Sequence, residues 1–198
     1  TFNVKQYENK TQRRGGDERE IINPIISYPE AVDFKNKYDY PFTETSLSFT
    51  ATSTAEVKYE ATKTDPEIAV VGVDEYFMTN SGLETSLGRN FTGFDIDNNN
   101  YVCIVGSDFG KGLLKDTNPI GKTISIRGAR FKVIGILKEK GSTFGNKQDL
   151  RVLIPIQVAR SLFTAPNINY TMSIMVSNKE LLDQAIDHAI ITMRNVRK

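Results

Sequence analysis

The sequence predicts an α+β fold, in which helices and strands form separate stretches of the chain. Polar and apolar residues alternate with period two near residues 47–61, which is typical of half-buried antiparallel strands. Capping-box sequences at Ser27 and Ser177 predict a helix towards each end of the chain. Short apolar strands dominate residues 101–154 between them. The simplest architecture is an α+β platform made of both chain ends, with a mostly β unit inserted between them.

The first half of the chain begins with a candidate strand at residues 2–7 and a helix after Ser27. Glu30 completes the capping box of that helix, and Pro29 fits its first turn, where no amide donor is needed. Two antiparallel strands follow at 47–51 and 57–61, and we predict that residues 52–54 form the turn between them.

Residues 67–73 are apolar on both faces, which predicts a central strand. A short helix follows, with Asp74 as its N-cap and Gly82 as its terminator. The Asn-, Asp- and Gly-rich stretch 88–100 then indicates a domain boundary.

The second half repeats strands and short helices before a long final helix. We predict strands at 101–106, 123–127, 130–138, 150–154 and 170–176, and helices at 107–115 and 156–163. The final helix follows Ser177, and an apolar stripe at helical spacing runs from Leu182 to Met193 and includes Ile190. The predicted domains are a discontinuous platform, 1–86 plus 166–198, and an inserted unit, 87–165.

Composition narrows the class of protein. The chain has 198 residues, 39% of them hydrophobic, and its 25 basic and 24 acidic residues leave a net charge of +1. Disorder of the whole chain and nucleic-acid binding are therefore both disfavoured. No stretch approaches the roughly 18–20 apolar residues of a membrane span. The single Cys103 excludes an internal disulfide. The start at Thr1 and the basic end at 194–198 suggest a piece of a longer protein.

A search for reactive groups yields no convincing site. His188 is the only histidine, and we predict that it lies at the rim of the final helix, while Ser107 caps a helix. Residues 95–100 begin like a calcium loop but lack its later glycine and glutamate. The Gly-Lys-Gly of 110–112 lacks the phosphate-loop frame. We therefore predict no catalytic, cofactor-binding or metal-binding residues.

Four ordered segments of the chain resemble the MacB-like periplasmic core domain. Residues 70–77 (VVGVDEYF) and 87–92 (LGRNFT) are similar to its "VVGV…YF…GR.F" signature. Residues 103–106 (CIVG) with 118–124 (NPIGKTI), then 131–137 (FKVIGIL), then 153–155 (LIP), match its later motifs in order. Glycines within these strands, Gly72, Gly106 and Gly135, indicate bulges or close packing and not chemistry.

The resemblance implies a mechanical domain of an FtsX-like ABC-transporter permease. In that family a porter-like α/β subdomain built from both ends carries an inserted sabre subdomain. The domain lies between transmembrane helices on the periplasmic face of the bacterial inner membrane. It transmits motion driven by ATP hydrolysis in separate cytoplasmic domains, so this chain would be non-catalytic. The implied partners are the protein's own transmembrane helices, a second permease subunit, and a periplasmic adaptor or lipoprotein cargo. We expect the isolated chain to be a monomer.

Two other functions are compatible with the same sequence. The domain could instead be a receptor for a ligand or lipoprotein, in a lipoprotein-release or antimicrobial-peptide-sensing permease. An enclosed apolar pocket near 88–100 and 164–169 would favour that function. A soluble enzyme would need Ser107 and His188 as its nucleophile and base. The subfamily and the partner-contact residues are not defined by the sequence, although the loop 139–149 is a candidate for recognition.

Overall fold

In the part of the chain that the structure describes, eleven strands join in one mixed β-sheet. The computed structural model describes residues 1–5, 24–115, 117–139 and 149–197. The strands are β1 (Phe2–Val4), β2 (Thr43–Ala55), β3 (Val57–Tyr59), β4 (Thr62–Lys63), β5 (Ile68–Val73), β6 (Thr85–Gly88), β7 (Val102–Val105), β8 (Thr123–Ile126), β9 (Ala129–Leu137), β10 (Arg151–Pro155) and β11 (Thr171–Val176). Their order across the sheet is β1-β11-β2-β5-β10-β7-β9-β8-β3-β4, and β6 pairs with β9 beside this path.

Six α-helices accompany the sheet in the described residues, which confirms the predicted α+β class. They are α1 (Tyr28–Lys37), α2 (Phe77–Asn80), α3 (Gly93–Asp97), α4 (Ser107–Lys111), α5 (Ile156–Leu162) and α6 (Leu182–Val196). The capping box of α1 forms as predicted: the Ser27 amide donates to the Glu30 carboxylate at 2.7 Å, and the Ser27 hydroxyl accepts from the Glu30 amide.

The strand predicted to be central, β5, lies between β2 and β10 and is parallel to β10. Side chains of the central strands alternate between two hydrophobic cores, one on each face of the sheet. Val105 and Ile154 belong to the larger core, and Ile104 and Leu153 belong to the smaller one. Burial on both faces explains why these strands are apolar throughout.

The prediction of a turn at residues 52–54 is wrong. β2 continues through these residues to Ala55, with irregular pairing to β5 after Thr50 and after Thr52. β-Branched threonines suit a strand, and the Thr52 hydroxyl accepts the Thr54 amide at 3.2 Å without reversing the chain. The tight reversal comes later, near Glu60, whose φ of 51° lies in the left-handed region.

Three predicted helix caps are also wrong. α2 begins only at Phe77, and the Asp74 carboxylate does not cap it but accepts the Leu47 amide. Ser107 is the first residue of α4, and Gly106 takes the cap position. At the last helix Asn178, and not Ser177, accepts an amide, that of Glu180 at 3.0 Å, and a single 3-10 turn precedes α6. Short polar side chains adjacent in sequence compete for such amides, and tertiary contacts decide which one binds.

The predicted division into platform and inserted unit stays a prediction. Hydrogen-bonded strand pairs join the two ranges at three junctions: β5 of the platform range pairs with β10, β3 pairs with β8, and Thr85 of β6 pairs with Leu137 of β9. The larger hydrophobic core also draws residues from both ranges, including Phe34 and Phe131. Any motion between the two units would have to occur at these junctions.

Candidate functional site

The residues considered for an enzyme lie in separate surroundings. The His188 ring packs on Tyr38 and Tyr40, each at a centroid distance of 5.4 Å, on the side where α6 meets the end of α1. Ser107 begins α4, where the amide of the next residue, Asp108, donates to the Asp149 carbonyl. The two sets of neighbours share no residue, so no nucleophile–base pair forms between them.

Asp95, from the stretch compared with a calcium loop, is used within the protein. Its carboxylate is almost completely buried and binds the Arg89 guanidinium through both oxygens, at 2.6 and 3.1 Å. It also accepts the amide and hydroxyl of Thr92, which closes a capping box at α3. The hydrogen bonds from Arg89, followed by those from Thr92, hold the pKa of Asp95 well below its ordinary value. Burial opposes this shift but is outweighed.

We expect Asp95→Asn to lower the free energy of unfolding by about 2 kcal/mol at neutral pH, because charge-assisted hydrogen bonds and a helix cap are weakened. A lowered pKa stabilises the folded state above the ordinary carboxyl pKa of about 4, and this contribution disappears as the pH falls. The difference between wild type and variant should therefore narrow below about pH 4. Urea unfolding across this pH range measures it, with the exposed Asp97→Asn as the matched control. A difference that does not depend on pH would contradict the assignment.

The surface near residues 88–100 contains an open, charged groove. It has a volume of about 690 Å³ and lies between α1, α5 and the end of α3. Lys35, Asp74, Glu75, Asp97 and Tyr101 are among its lining residues. The receptor alternative called for an enclosed apolar pocket here, and this groove does not meet that description.

The floor of this groove is an internal ion pair. The Lys35 ammonium lies 2.7 Å from Asp74 Oδ2, and the same carboxylate accepts the Leu47 amide at 2.7 Å. Burial raises the pKa of Asp74, and the neighbouring ammonium of Lys35 opposes that change. The pair ties α1 to β2 and to the end of β5, which is a structural role.

A second groove, of about 540 Å³, lies at the junction of β3 and β8. Glu56, Lys58, Arg127, Phe163 and Thr164 contribute to its walls, so it too is open and charged. The loop predicted to carry recognition, 139–149, lies mostly outside the described residues. Its first residue, Glu139, forms an exposed ion pair with Lys111 at 2.7 Å.

The third groove is the most apolar and lies between β1 and α6. Its volume is about 560 Å³, and Phe2, Val4, Ile190 and Met193 line it together with Lys5 and Arg194. The prediction placed Ile190 in the buried stripe of the last helix, but Ile190 and its neighbour Ile191 are both exposed. Ala185 and Ala189 of the predicted stripe are buried, and so is Thr192, which lies outside it. The sequence offers one sign of this exposure, because Ile191 is also a large aliphatic residue but lies outside the predicted apolar stripe.

None of the helices in the described part of the chain has the length and apolar composition needed to span a lipid bilayer. Among the same residues, no group of three or more His, Cys, Asp or Glu side chains is placed to hold a metal ion.

Sequence comparisons find the same kind of domain. The model of the MacB-like periplasmic core domain matches residues 2–190. The macrolide export ATP-binding/permease protein MacB of Neisseria gonorrhoeae is 30% identical over 117 residues, covering 59% of this chain and 18% of that protein. The pyoverdine export ATP-binding/permease protein PvdT of Pseudomonas aeruginosa is 34% identical over 110 residues, covering 54% of this chain and 17% of that protein. The chain thus spans less than a fifth of the length of these relatives.

Solved structures share the fold. The periplasmic region of MacB from Actinobacillus actinomycetemcomitans superposes with a TM-score of 0.69 at 18% identity, covering 98% of this chain and 83% of that one. The extracellular domain of the noncanonic ABC-type transporter YknZ from Gram-positive bacteria superposes with a TM-score of 0.67 at 20% identity. The match covers 91% of this chain and 89% of that one. With the family match over residues 2–190, these findings establish that the chain belongs to the family of the MacB-like periplasmic core domain.

Proposed function

We propose that this chain is the extracytoplasmic domain of an ABC-transporter permease, on the periplasmic face of the inner membrane. Its role is to transmit ATP-driven motion to a periplasmic partner or cargo. The observation that carries the proposal is the continuous hydrogen-bonded sheet that runs from β1 to β4 through all ten strands of the main path.

A continuous sheet is suited to this role because it moves as one body. Ten strands about 4.8 Å apart span roughly 43 Å from edge to edge. Close-packed cores on both faces resist compression, so a displacement applied at β1 and α6 reaches β3 and β4 with little loss. Family membership supports the same role, since both relatives named above are ATP-binding/permease proteins.

The energy for this motion would come from other parts of the protein. Neither Gly-Lys pair of the sequence, at 110–111 and at 121–122, has the earlier glycine of the frame that cradles phosphates. ATP would therefore be hydrolysed in cytoplasmic domains, and this domain would be non-catalytic. The receptor alternative is less well supported, because the two grooves at the predicted junctions are open and charged.

Distance measurements on the full-length permease test the proposal. Spin labels at Lys63→Cys on β4 and Asp183→Cys on α6 report distances within one copy, and labels at Lys63→Cys alone report the distance between copies. The native Cys103 is fully buried, and burial raises its pKa, so it should remain unlabelled. We expect the distance between copies to change on ATP binding while the distance within a copy stays constant.

Two results would contradict this proposal. A change of distance within one copy would mean that the domain deforms instead of moving as a body. An unchanged distance between copies would mean that nucleotide-driven motion does not reach β4. A matched pair of labels placed entirely within one helix, at Asp183→Cys and Asn195→Cys of α6, controls for changes in label mobility.

A further inference from the structure

The exposed face of α6 carries a short pattern of residues that is complementary to itself. Asp187, Ile190, Ile191 and Arg194 follow one another at i, i+3, i+4 and i+7, so they lie on one face of the helix. All four are exposed, and Ile190 and Ile191 keep 45% and 56% of their accessible surface. The order along this face is an acid, two aliphatic side chains, and a base.

The two charges of this pattern are not paired within the protein. Neither Asp187 nor Arg194 has an ion-pair partner among residues 1–5, 24–115, 117–139 and 149–197. They are about 10 Å apart along the helix axis, at 1.5 Å per residue, which is too far for them to pair with each other. An acid and a base therefore flank two exposed aliphatic side chains, with both charges available to another molecule.

We propose that this face of α6 binds the same face of a second copy, with the two helices antiparallel and related by a twofold axis between Ile190 and Ile191. In this arrangement each Asp187 lies opposite the partner's Arg194, because both positions are equally far from the axis. Each Ile190 lies opposite the partner's Ile191 for the same reason. The contact is isologous, so one pattern supplies both halves of the interface.

The groove beside this face provides room for an aliphatic side chain. It lies between β1 and α6, and Phe2, Val4, Ile186 and Met193 line it. The partner's Ile191 has the size and chemistry to enter it, as a knob enters a hole between packed helices. Insertion would bury aliphatic surface that is exposed in the single copy.

Charge complementarity selects a second copy in antiparallel orientation as the occupant. A parallel arrangement would place Asp187 against the partner's Asp187 and Arg194 against the partner's Arg194, and like charges repel. One helix face is small compared with the roughly 800 Å² per partner of a stable interface. The isolated chain should therefore associate only weakly, in keeping with the monomer expected from the sequence. Two copies held in one assembly would associate more readily, because their effective concentration is high. The inference does not depend on the transmission of motion.

Reversing the charges of this face tests the inference on the 198-residue chain. Sedimentation velocity at concentrations up to about 1 mM, which reaches dissociation constants in the millimolar range, measures self-association. We expect Asp187→Arg and Arg194→Asp each to weaken self-association roughly tenfold, since two ion pairs become two repulsions. An equal mixture of the two variants should associate again, because each Arg then faces an Asp of the other variant.

The controls separate this contact from general charge effects. Glu60→Arg changes the net charge by the same amount as Asp187→Arg, at an exposed turn far along the chain from α6, and should leave association unchanged. Circular dichroism confirms that each variant is folded. The inference is overturned if the wild type shows no association at about 1 mM, if neither single variant is weakened, or if the mixture does not recover.

Discussion

Replacing Gly88 by alanine will lower the free energy of unfolding by about 3 kcal/mol or more. Gly88 has a φ of +78°, where an L residue is strained. It also pairs with Gly135 across β6 and β9, so closely that an added Cβ would lie 2.1 Å from the Ile134 carbonyl oxygen and 2.8 Å from the Gly135 Cα. Backbone atoms cannot yield as a flexible side chain can, so β6 must move away from β9.

Gly128→Ala is the matched control for this experiment. Gly128 has a similar φ of +84°, in the turn between β8 and β9, but nothing lies within 4 Å of an added Cβ. Its replacement should cost only the strain of the left-handed backbone, about 1 kcal/mol. Urea unfolding followed by circular dichroism compares the stability of the two variants. If Gly88→Ala does not fold, the yields of soluble protein of the two variants are compared instead. Equal losses at both positions would show that the contact with β9 is unimportant.

Replacing Phe131 by alanine should destabilise the domain by about 4 kcal/mol, the usual cost of removing a large aromatic side chain from a core. Phe131 is completely buried in β9, and its ring lies 5.4 Å from that of Tyr101. β9 pairs with β6, β7 and β8, so the cavity would open where several strands meet. The midpoint urea concentration of unfolding should fall, while the slope of the free energy of unfolding against urea concentration stays constant.

Phe94→Ala controls for the loss of an aromatic ring as such. Phe94 lies in α3 and keeps 71% of its accessible surface. Its removal should change the free energy of unfolding by no more than about 0.5 kcal/mol. A loss at Phe131 of similar size to that at Phe94 would mean that the core around β9 is not packed as the structure has it.

Several elements could be predicted because their signals are local. The capping box at Ser27 and Glu30 formed as expected, since both partners lie within one helical turn. β5 could be recognised as a central strand because burial on both faces leaves an unbroken apolar run. Gly72 and Gly135 were expected to mark close packing, and an added Cβ at either would lie within 2.7 Å of another atom.

The predictions that failed depended on distant contacts. Asp74 was expected to cap a helix, but Lys35 and the Leu47 amide bind its carboxylate instead. Ile190 was expected to face the core, but small residues of α6 pack there and leave it exposed. No residue within one or two turns of Asp74 indicates its partners, and near Ile190 the one local sign is the adjacent Ile191, a large aliphatic residue outside the predicted stripe.

The amino-acid sequence by itself determined most of the strands and helices, with β4, β6 and α3 as the exceptions, and it carried the motifs of the family, because backbone preference and periodicity act between near neighbours. Only the tertiary structure decided the order of the strands, the pairing of Gly88 with Gly135, and the face of α6 left to solvent. Those features follow from packing between residues far apart in the chain, where many alternatives satisfy the same local pattern and the closest-packed one prevails.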